Sequence, residues 1–297
     1  PIVSFISFFL CFYNIIPINR IEIKETPNID NKKILNISAK FTEPFIHITG
    51  SNWTETNSTY DWCTGKGTYS EPYIIRDVVI TGYVQSGGTD GACILIESST
   101  IVYFQIINCT ASTAPSGSYD NGGIHLAGVQ KGTIYNNNFS GNAACGIVVK
   151  SCQNNTIIGN NVSNNDLDGI HMYNCVNNRI IGNKIIENVY DGITLDNDND
   201  QNLISDNIIN GTDVWNYRSG INLRDGNHYN KLIRNNISGY KDEGYGIKLE
   251  ENNNHTIIEN NTIINSYYGI RGIHAFSEGC YNTTILRNNI YGNSWYG

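Results

Sequence analysis

The chain has 297 residues, a net charge of −8 at pH 7 and only 15% charged residues. Its 29 glycines, 19 tyrosines and many asparagines, against 6 prolines, favour turn-rich β structure over helices. The acidic balance and the lack of a Lys/Arg cluster exclude a nucleic acid as partner, because binding to phosphates needs clustered cations.

The first segment, residues 1–17, is uncharged and rich in Phe and Ile. It is short for a membrane span and fits the apolar part of a secretory signal, with a signal-anchor in contact with the membrane as the alternative. Either alternative predicts a secreted or cell-surface chain. The next segment, 18–42, is predicted to be a charged linker. Export and glycosylation also agree with twelve Asn-x-Ser/Thr sequons, which include Asn36, Asn52, Asn57, Asn108, Asn138, Asn210 and Asn282.

Residues 91–297 repeat a unit of about 23 residues. The marker is a glycine, followed by Ile in all but the last unit, at Gly123, Gly146, Gly169, Gly192, Gly220, Gly246, Gly269 and Gly297. A fixed period with insertions is typical of a solenoid, in which each unit buries its apolar face against its neighbours. Residues 43–90, which contain Trp53 and Trp62, differ in composition and are predicted to form an N-terminal cap with entry strands.

Three apolar columns predict three short strands per unit. The first column is Ile147, Ile170, Ile193, Ile221, Ile247 and Ile270, accompanied two residues later by Val149, Met172, Leu195, Leu223 and Leu249. The second is Ile157, Ile180, Leu203, Leu232, Ile257 and Ile285, and the third is Val162, Ile185, Ile208 and Ile237. Alternation by two places each set on one strand face. Parallel pairing with the copy about 4.8 Å away predicts an all-β parallel β-helix of about 7–9 coils.

A polar column lies beside the predicted bends, at Asn160, Asn183, Asp206, Asn235, Asn260 and Asn288. Asn tolerates left-handed backbone angles, and its amide can hydrogen-bond to the copies above and below. The column is therefore predicted to be structural. The final stretch 293–297 repeats 265–269, so we expect a further coil to follow.

The outward-facing residues of the first strand are candidate binding positions. A middle row contains His125, Val148, His171, Thr194, Asn222, Lys248 and Arg271. Asp168 and Asp191 flank it on one side, and Lys150, Tyr173, Asp196, Arg224 and Glu250 flank it on the other. Mixed charge with tyrosine suits a sugar acid or a neutral glycan. The predicted carbohydrate groove comprises His125, His171, Tyr173, Asp191, Asp196, Arg224, Lys248, Glu250 and Arg271.

Two further patterns allow alternatives. Asp196, Asp198 and Asp200 alternate along "DNDND", which fits either a Ca²⁺ site or an Asx-rich turn, and no other cofactor is predicted. Cys152 and Cys175 lie 23 residues apart at equivalent positions of adjacent coils. Their expected Cα separation of about 5 Å permits a disulfide, and export would allow one, while a reduced stack is the alternative.

The units "GIVVKSCQNNTIIGNNV" (146–162) and "GIKLEENNNHTIIENNT" (246–262) resemble right-handed parallel β-helix proteins of the pectin-lyase-like superfamily, in particular NosD-like and CASH-type repeats. The stretch "GKGTYSEPYIIRDVVITG" (65–82) is similar to the entry segment of large archaeal surface proteins of this kind. The resemblance covers residues 43–297. It implies a right-handed β-helix but no single activity, because such proteins include lyases, hydrolases, epimerases, maturation factors and surface proteins.

Two functions fit these features. The first is an extracellular or cell-surface scaffold without catalysis that binds a polysaccharide, a cell-surface glycan or surface proteins. The second is a polysaccharide-active enzyme on an acidic glycan, a lyase before a hydrolase or an epimerase, in which Lys248 and Arg271 would remove a proton and stabilise the developing charge. An enzyme should show a cleft between loops 211–219 and 240–245, whereas a scaffold should show a flat, evenly exposed sheet.

Overall fold

The structure is a computed structural model that describes residues 40–86, 90–212, 217–273 and 279–297. The predicted signal segment 1–17 and nearly all of the predicted linker lie outside these ranges. In the described residues the chain forms one short helix, α1 (Trp53–Thr59), and many short strands. No described helix is long and apolar enough to cross a membrane.

The strands are numbered in chain order. They are β1 (Phe41–Glu43), β2 (Ile46–Thr49), β3 (Cys63–Thr64), β4 (Tyr73–Arg76), β5 (Val78–Ile80), β6 (Val84–Ser86), β7 (Asp90–Glu97), β8 (Phe104–Ile107), β9 (Thr110–Ala111), β10 (Gly122–Ala127), β11 (Gly132–Tyr135), β12 (Cys145–Lys150), β13 (Thr156–Ile158), β14 (Ile170–Tyr173), β15 (Arg179–Ile181), β16 (Lys184–Ile186), β17 (Ile193–Asp196), β18 (Leu203–Ser205), β19 (Ile208–Asn210), β20 (Ser219–Leu223), β21 (Lys231–Ile233), β22 (Asn236–Ser238), β23 (Tyr245–Leu249), β24 (Ile257–Glu259), β25 (Thr262–Ile264), β26 (Tyr268–Gly272), β27 (Thr284–Leu286) and β28 (Asn289–Tyr291).

These strands form a parallel β-helix with three faces. The first sheet runs β2-β7-β10-β12-β14-β17-β20-β23-β26, and the second runs from β4 and β8 to β27. The third face consists of β1-β5-β9 and β16-β19-β22-β25-β28, which isolated parallel bridges connect through Asn138 and Asn161. Within the described chain, only the β3–β4 and β6–β7 pairs are antiparallel. The predicted architecture is confirmed.

The apolar columns fill the interior, with one correction to their register. On the first face, Ile147, Ile170 and their copies as far as Ile247 are fully buried, Ile270 is partly buried, and each fully buried side chain contributes roughly 1.5–3 kcal/mol. Leu203, Ile257 and Ile208 were predicted to face inward but lie outward, and Ile208 is 53% exposed. The inward residues are Ile204, Ile258 and Ile209, paired with the predicted columns.

The predicted register was wrong at these positions because each has two adjacent apolar residues, of which only one faces inward. The unit that begins at Ile193 carries one extra residue in the bend before its second strand, so Ile204 follows Ile180 by 24 residues. Because neighbouring side chains of a strand point to opposite faces, a slip of one residue exchanges the inward and the outward member.

The asparagine column contains two different kinds of residue. The ladder consists of Asn137, Asn160, Asn183, Asn207, Asn235, Asn261 and Asn288, in which each amide nitrogen donates to the amide oxygen of the next coil. Asp206 and Asn260, predicted as members, precede the ladder residue and have positive φ angles of 59° and 56°. One residue turns the chain and the next one supplies the hydrogen bonds, so a single column could not hold both.

Further ladders run along the other bends. Asn142, Asn165 and Asn188 form one, and Asn155, Asn178, Asn202 and Asn230 form another. A third contains Asn199, Asn227 and Asn253. The ladders satisfy buried backbone N–H groups at the bends, where no strand partner is available.

The segment predicted as a cap already contributes strands to every face. β2, β4 and β5 pair in parallel with β7, β8 and β9 of the next coil. Helix α1 is inserted into this first coil, and Trp53 is buried, stacked on Tyr73 at 5.2 Å, with its indole N–H donating to Ser99 Oγ at 2.8 Å. β1 begins at Phe41, inside the predicted linker 18–42, and pairs with β5.

Candidate functional site: a polar strip on the first sheet

The middle row of the first sheet has the predicted register but not the predicted exposure. The strand pairings align His125, Val148, His171, Thr194, Asn222, Lys248 and Arg271 on successive coils. From His125 to Asn222, no member is more than 5% exposed. His125 and His171 therefore do not line an open groove, contrary to the prediction.

The cover of this row comes from the bends that precede the strands. The ring of Tyr119 lies 5.2 Å from that of His171 and meets the ring of Tyr190 edge-on at 6.0 Å. The Arg218 guanidinium lies 3.6 Å from the centre of the Tyr190 ring. These three residues were not predicted. A signal existed for Tyr119, because the 30-residue step between the paired residues Ile94 and Ile124 leaves a long connection before β10.

Two buried carboxylates lie beneath this cover on adjacent coils. Asp168 accepts the backbone N–H of Asp191 at 3.0 Å and pairs with His171 Nδ1 at 2.9 Å. Asp191 accepts the N–H of Ser219 at 2.6 Å through Oδ1. Its Oδ2 accepts hydrogen bonds from Asn222 Nδ2 at 3.0 Å and from an Arg224 guanidinium nitrogen at 3.3 Å.

The electrostatics of Asp191 reflect this crowding. Burial and the neighbouring Asp168 carboxylate raise the pKa of Asp191, while Arg224 and the Asn222 amide partly offset the shift. The two carboxylates, His171 and Arg224 form a nearly sealed polar network in which Arg224 alone reaches solvent appreciably, with 27% of its side chain exposed.

Solvent reaches the first sheet mainly along one flank, which we call the outer row: Lys150, Tyr173, Asp196, Arg224 and Glu250. Strand register places Lys150, Tyr173 and Asp196 on successive coils, and Arg224 and Glu250 follow in the next two. Tyr173 is 39% exposed, and the charged members show 25–38% of their side chains. All five were predicted as outward-facing, four of them as groove residues, and the structure brings them into one line.

The two cations of the outer row, Lys150 and Arg224, each have a carboxylate of the same chain as partner. Lys150 Nζ lies 2.7 Å from Asp120 Oδ2. Arg224 bridges Asp191 at 3.3 Å and Asp196 at 3.8 Å. The charge of the strip is therefore compensated internally.

The predicted catalytic pair occupies adjacent strands, as expected. Lys248 and Arg271 align in register, but Lys248 Nζ is held 2.7 Å from Glu250 Oε1. The Arg271 guanidinium lies 4.2 Å from the centre of the Tyr268 ring, which stacks on Tyr245 at 5.1 Å. The ammonium group of Lys248 is therefore engaged by Glu250 in this structure.

Two surface cavities do not define an active site. One of about 350 Å³ lies between Arg271 and Trp295 beside β26, where Tyr268 forms a parallel bridge to Tyr296. The other, about 470 Å³, is lined by Asn164, Glu187, Asn210 and neighbouring residues beside the predicted loop 211–219. Residues 213–216 of that loop lie outside the described residues, so the predicted cleft stays a prediction.

The three aspartates of the Ca²⁺ alternative point to different partners. Asp196 lies 3.8 Å from Arg224, and Asp200 accepts the His228 N–H at 2.7 Å. Asp198, with a φ of 46°, turns the chain. Among the described residues, no group of three His, Cys, Asp or Glu side chains is arranged to hold a metal ion.

Cys152 and Cys175 are free thiols in this structure and continue an asparagine ladder. The N–H of Cys175 donates to Asn199 Oδ1 at 3.0 Å, and the N–H of Cys152 donates to Cys175 Sγ at 3.5 Å. Burial and the hydrogen bond with Cys175 raise the pKa of the Cys152 thiol. The structure thus contains the reduced stack, and the disulfide stays a prediction.

The fold and the polar strip define a solenoid protein of the parallel β-helix class. The chain belongs to the family described as "Right handed beta helix region", whose model matches residues 44–209, 92–239 and 178–297. A comparison with curated proteins gives no match.

Several solved structures have a similar fold. The periplasmic alginate epimerase AlgG is 18% identical with a TM-score of 0.54, over 73% of this chain and 50% of that one. The A-module of a mannuronan C-5 epimerase from Azotobacter vinelandii is 17% identical with a TM-score of 0.60, over 73% and 57%. The surface adhesin PfbA of Streptococcus pneumoniae is 13% identical with a TM-score of 0.50, over 76% and 72%. At such identity the likeness shows the fold alone, and the chain spans about half the length of the epimerases.

Proposed function

We propose that this protein is a secreted or cell-surface β-helix that binds a glycan chain along the outer row and does not process it. The observation that carries the proposal is the line of Lys150, Tyr173, Asp196, Arg224 and Glu250, which reaches solvent on five successive coils. A polymer with a repeated unit is the kind of ligand that a repeated surface can contact several times.

The chemistry of the row suits sugars. Charged side chains and their partners offer hydrogen-bond donors and acceptors to hydroxyl groups, and Tyr173 offers a ring to the apolar face of a pyranose. Support from fold analogy comes from alginate epimerases and a surface adhesin with the same architecture. The finer resemblance to NosD-like and CASH-type repeats of the pectin-lyase-like superfamily belongs to this proposal too.

The test is retention of the purified chain in affinity gels that contain single polysaccharides. We expect Tyr173→Ala to weaken retention about two- to tenfold, the range of a lost ring contact. Tyr291→Ala is the matched control, because Tyr291 is 54% exposed on a strand of the third face. Equal effects of both variants, or no retention on any polymer, would overturn the proposal.

A polysaccharide-active enzyme is the second candidate, favoured by one observation. The Asp168–His171 pair, 2.9 Å apart, has the geometry of an oriented acid–base group, and Arg224 lies close to the same network. Its use in catalysis would require the cover at Tyr119 to move aside. Release of unsaturated or reducing ends that is lost in His171→Gln, or in Lys248→Ala for the pair predicted from sequence, would establish an enzyme.

A further inference from the structure

We infer that the outer row selects a neutral glycan and rejects polyuronates. The inference rests on the proposed glycan binding and adds the chemical class of the ligand. It follows from the ion pairs of the strip, because a carboxylate of the same chain neutralises each paired cation and so weakens its attraction for a carboxylate of the ligand.

The ion pairs are short and lie at the surface that a glycan would touch. Lys150 pairs with Asp120 at 2.7 Å, and Lys248 pairs with Glu250 at 2.7 Å. In each pair the carboxylate already neutralises the ammonium charge, so a uronate would meet a pair with no net charge. The paired side chains are 17–38% exposed, so sugar hydroxyl groups can reach their polar atoms. Solvent screens the attraction within each pair less than it would in a fully exposed pair.

Arg224 is the cation at the centre of the row, and it is surrounded by acids. Its guanidinium contacts Asp191 at 3.3 Å and Asp196 at 3.8 Å, and Asp168 and Glu250 act on it electrostatically. A uronate placed on Arg224 would bring another negative charge beside these carboxylates. Like charges at such distances disfavour binding strongly where solvent is partly excluded.

The local charge balance supports the same conclusion. In the outer row, beneath it, in its cover and at the end of the middle row, five carboxylates face five cations, so no excess of positive charge is left for a polyanion: Asp120, Asp168, Asp191, Asp196 and Glu250 against Lys150, Arg218, Arg224, Lys248 and Arg271. The chain carries a net charge of −8, which repels polyanions at longer range. A neutral sugar avoids both costs, because its hydroxyls can donate to the carboxylates and accept from the cations at the same time.

The experiment compares a neutral polymer, galactomannan, with an acidic one, polygalacturonate, in affinity gels at low and high salt. We expect the wild-type chain to be retained by galactomannan with little dependence on salt, and not by polygalacturonate. The double variant Asp196→Asn/Glu250→Gln removes two competing carboxylates while Arg224 and Lys248 stay. It should gain retention on polygalacturonate, on the order of tenfold and lost at high salt.

The control is Glu55→Gln/Asp61→Asn, which changes the net charge by the same amount at exposed positions in the first coil. Equal gains in both double variants would show that total charge, not the row, decides, and would overturn the inference. A wild-type chain that prefers polygalacturonate would also overturn the inference, but that result would support the proposed glycan binding. If the chain binds neither of these polymers nor any other polysaccharide tested in affinity gels, the proposed glycan binding is overturned as well.

Discussion

The ladder residue Asn183 offers the most direct test of what stabilises the coils. Its side chain is fully buried, and Oδ1 accepts from the backbone N–H and the amide nitrogen of Asn160, at 2.9 and 3.0 Å. Its amide nitrogen donates to Ile157 O and to Asn207 Oδ1, both at 3.0 Å. Asn183→Ala removes all four hydrogen bonds.

The expected loss can be worked out from the groups that stay behind. The Asn160 amide nitrogen keeps two backbone carbonyl acceptors, and Asn207 Oδ1 keeps the N–H of residue 183. The Asn160 N–H and the Ile157 carbonyl lose these contacts inside the protein, and an unsatisfied buried group costs about 1–3 kcal/mol. For two such groups we therefore expect Asn183→Ala to lower the free energy of unfolding by about 2–6 kcal/mol.

Urea unfolding followed by circular dichroism measures this difference. Asn236→Ala is the control, because Asn236 is an exposed strand residue of the neighbouring face, and such a substitution should change stability by less than about 0.5 kcal/mol. If Asn183→Ala stays within about 1 kcal/mol of the control, the ladders are not the stabilising elements described above.

Three further predictions concern other buried positions. Gly220→Ala places a Cβ 2.3 Å from Ile237 Cγ2 and 2.6 Å from the Gly246 backbone oxygen of the neighbouring coil, so this substitution should abolish folding. Gly182→Ala is the control: the Cβ meets open space, and the φ of +61° alone should lower stability by about 1–2 kcal/mol, as measured by thermal unfolding. The pKa of Asp191 is raised in the folded state, so its favourable contribution to stability is present below its unfolded pKa of about 3.9 and is lost as pH rises through the folded pKa. Over that pH window, the free energy of unfolding of Asp191→Asn should therefore increase relative to that of the wild type. Urea titrations at several pH values measure this difference. Cys175→Asn should keep stability or raise it by about 1 kcal/mol, because it extends a ladder of asparagines. Alkylation of the unfolded, non-reduced protein followed by mass measurement decides between the two states of this pair: label on both Cys152 and Cys175 shows the reduced stack, and no label on either shows the disulfide.

The fold was predictable because the period of the sequence is the period of the structure. A Gly-Ile pair every 23 to 28 residues sets the stacking of coils, and the alternation from Ile147 to Val149 sets the inward face of the first strand. Where the sequence offered two adjacent apolar residues, as at Leu203 and Ile204, hydrophobicity alone could not choose between them. The choice is made by the hydrogen-bonded ladder, which fixes the register of each bend.

Exposure was the part of the candidate site that the sequence could not supply, and it changes the functional interpretation. A residue that points away from a solenoid's core is expected to meet solvent, yet His171 is 5% exposed because Tyr119 reaches over it from a bend in another coil. Such contacts depend on the path of a single irregular connection, which no repeat encodes. They bury the middle row, leave the outer row from Lys150 to Glu250 at the surface, and pair its cations with carboxylates. The same strand register therefore contains both a sealed acid–base network and an accessible, charge-compensated strip, and only the second is open to a polymer without movement of the chain.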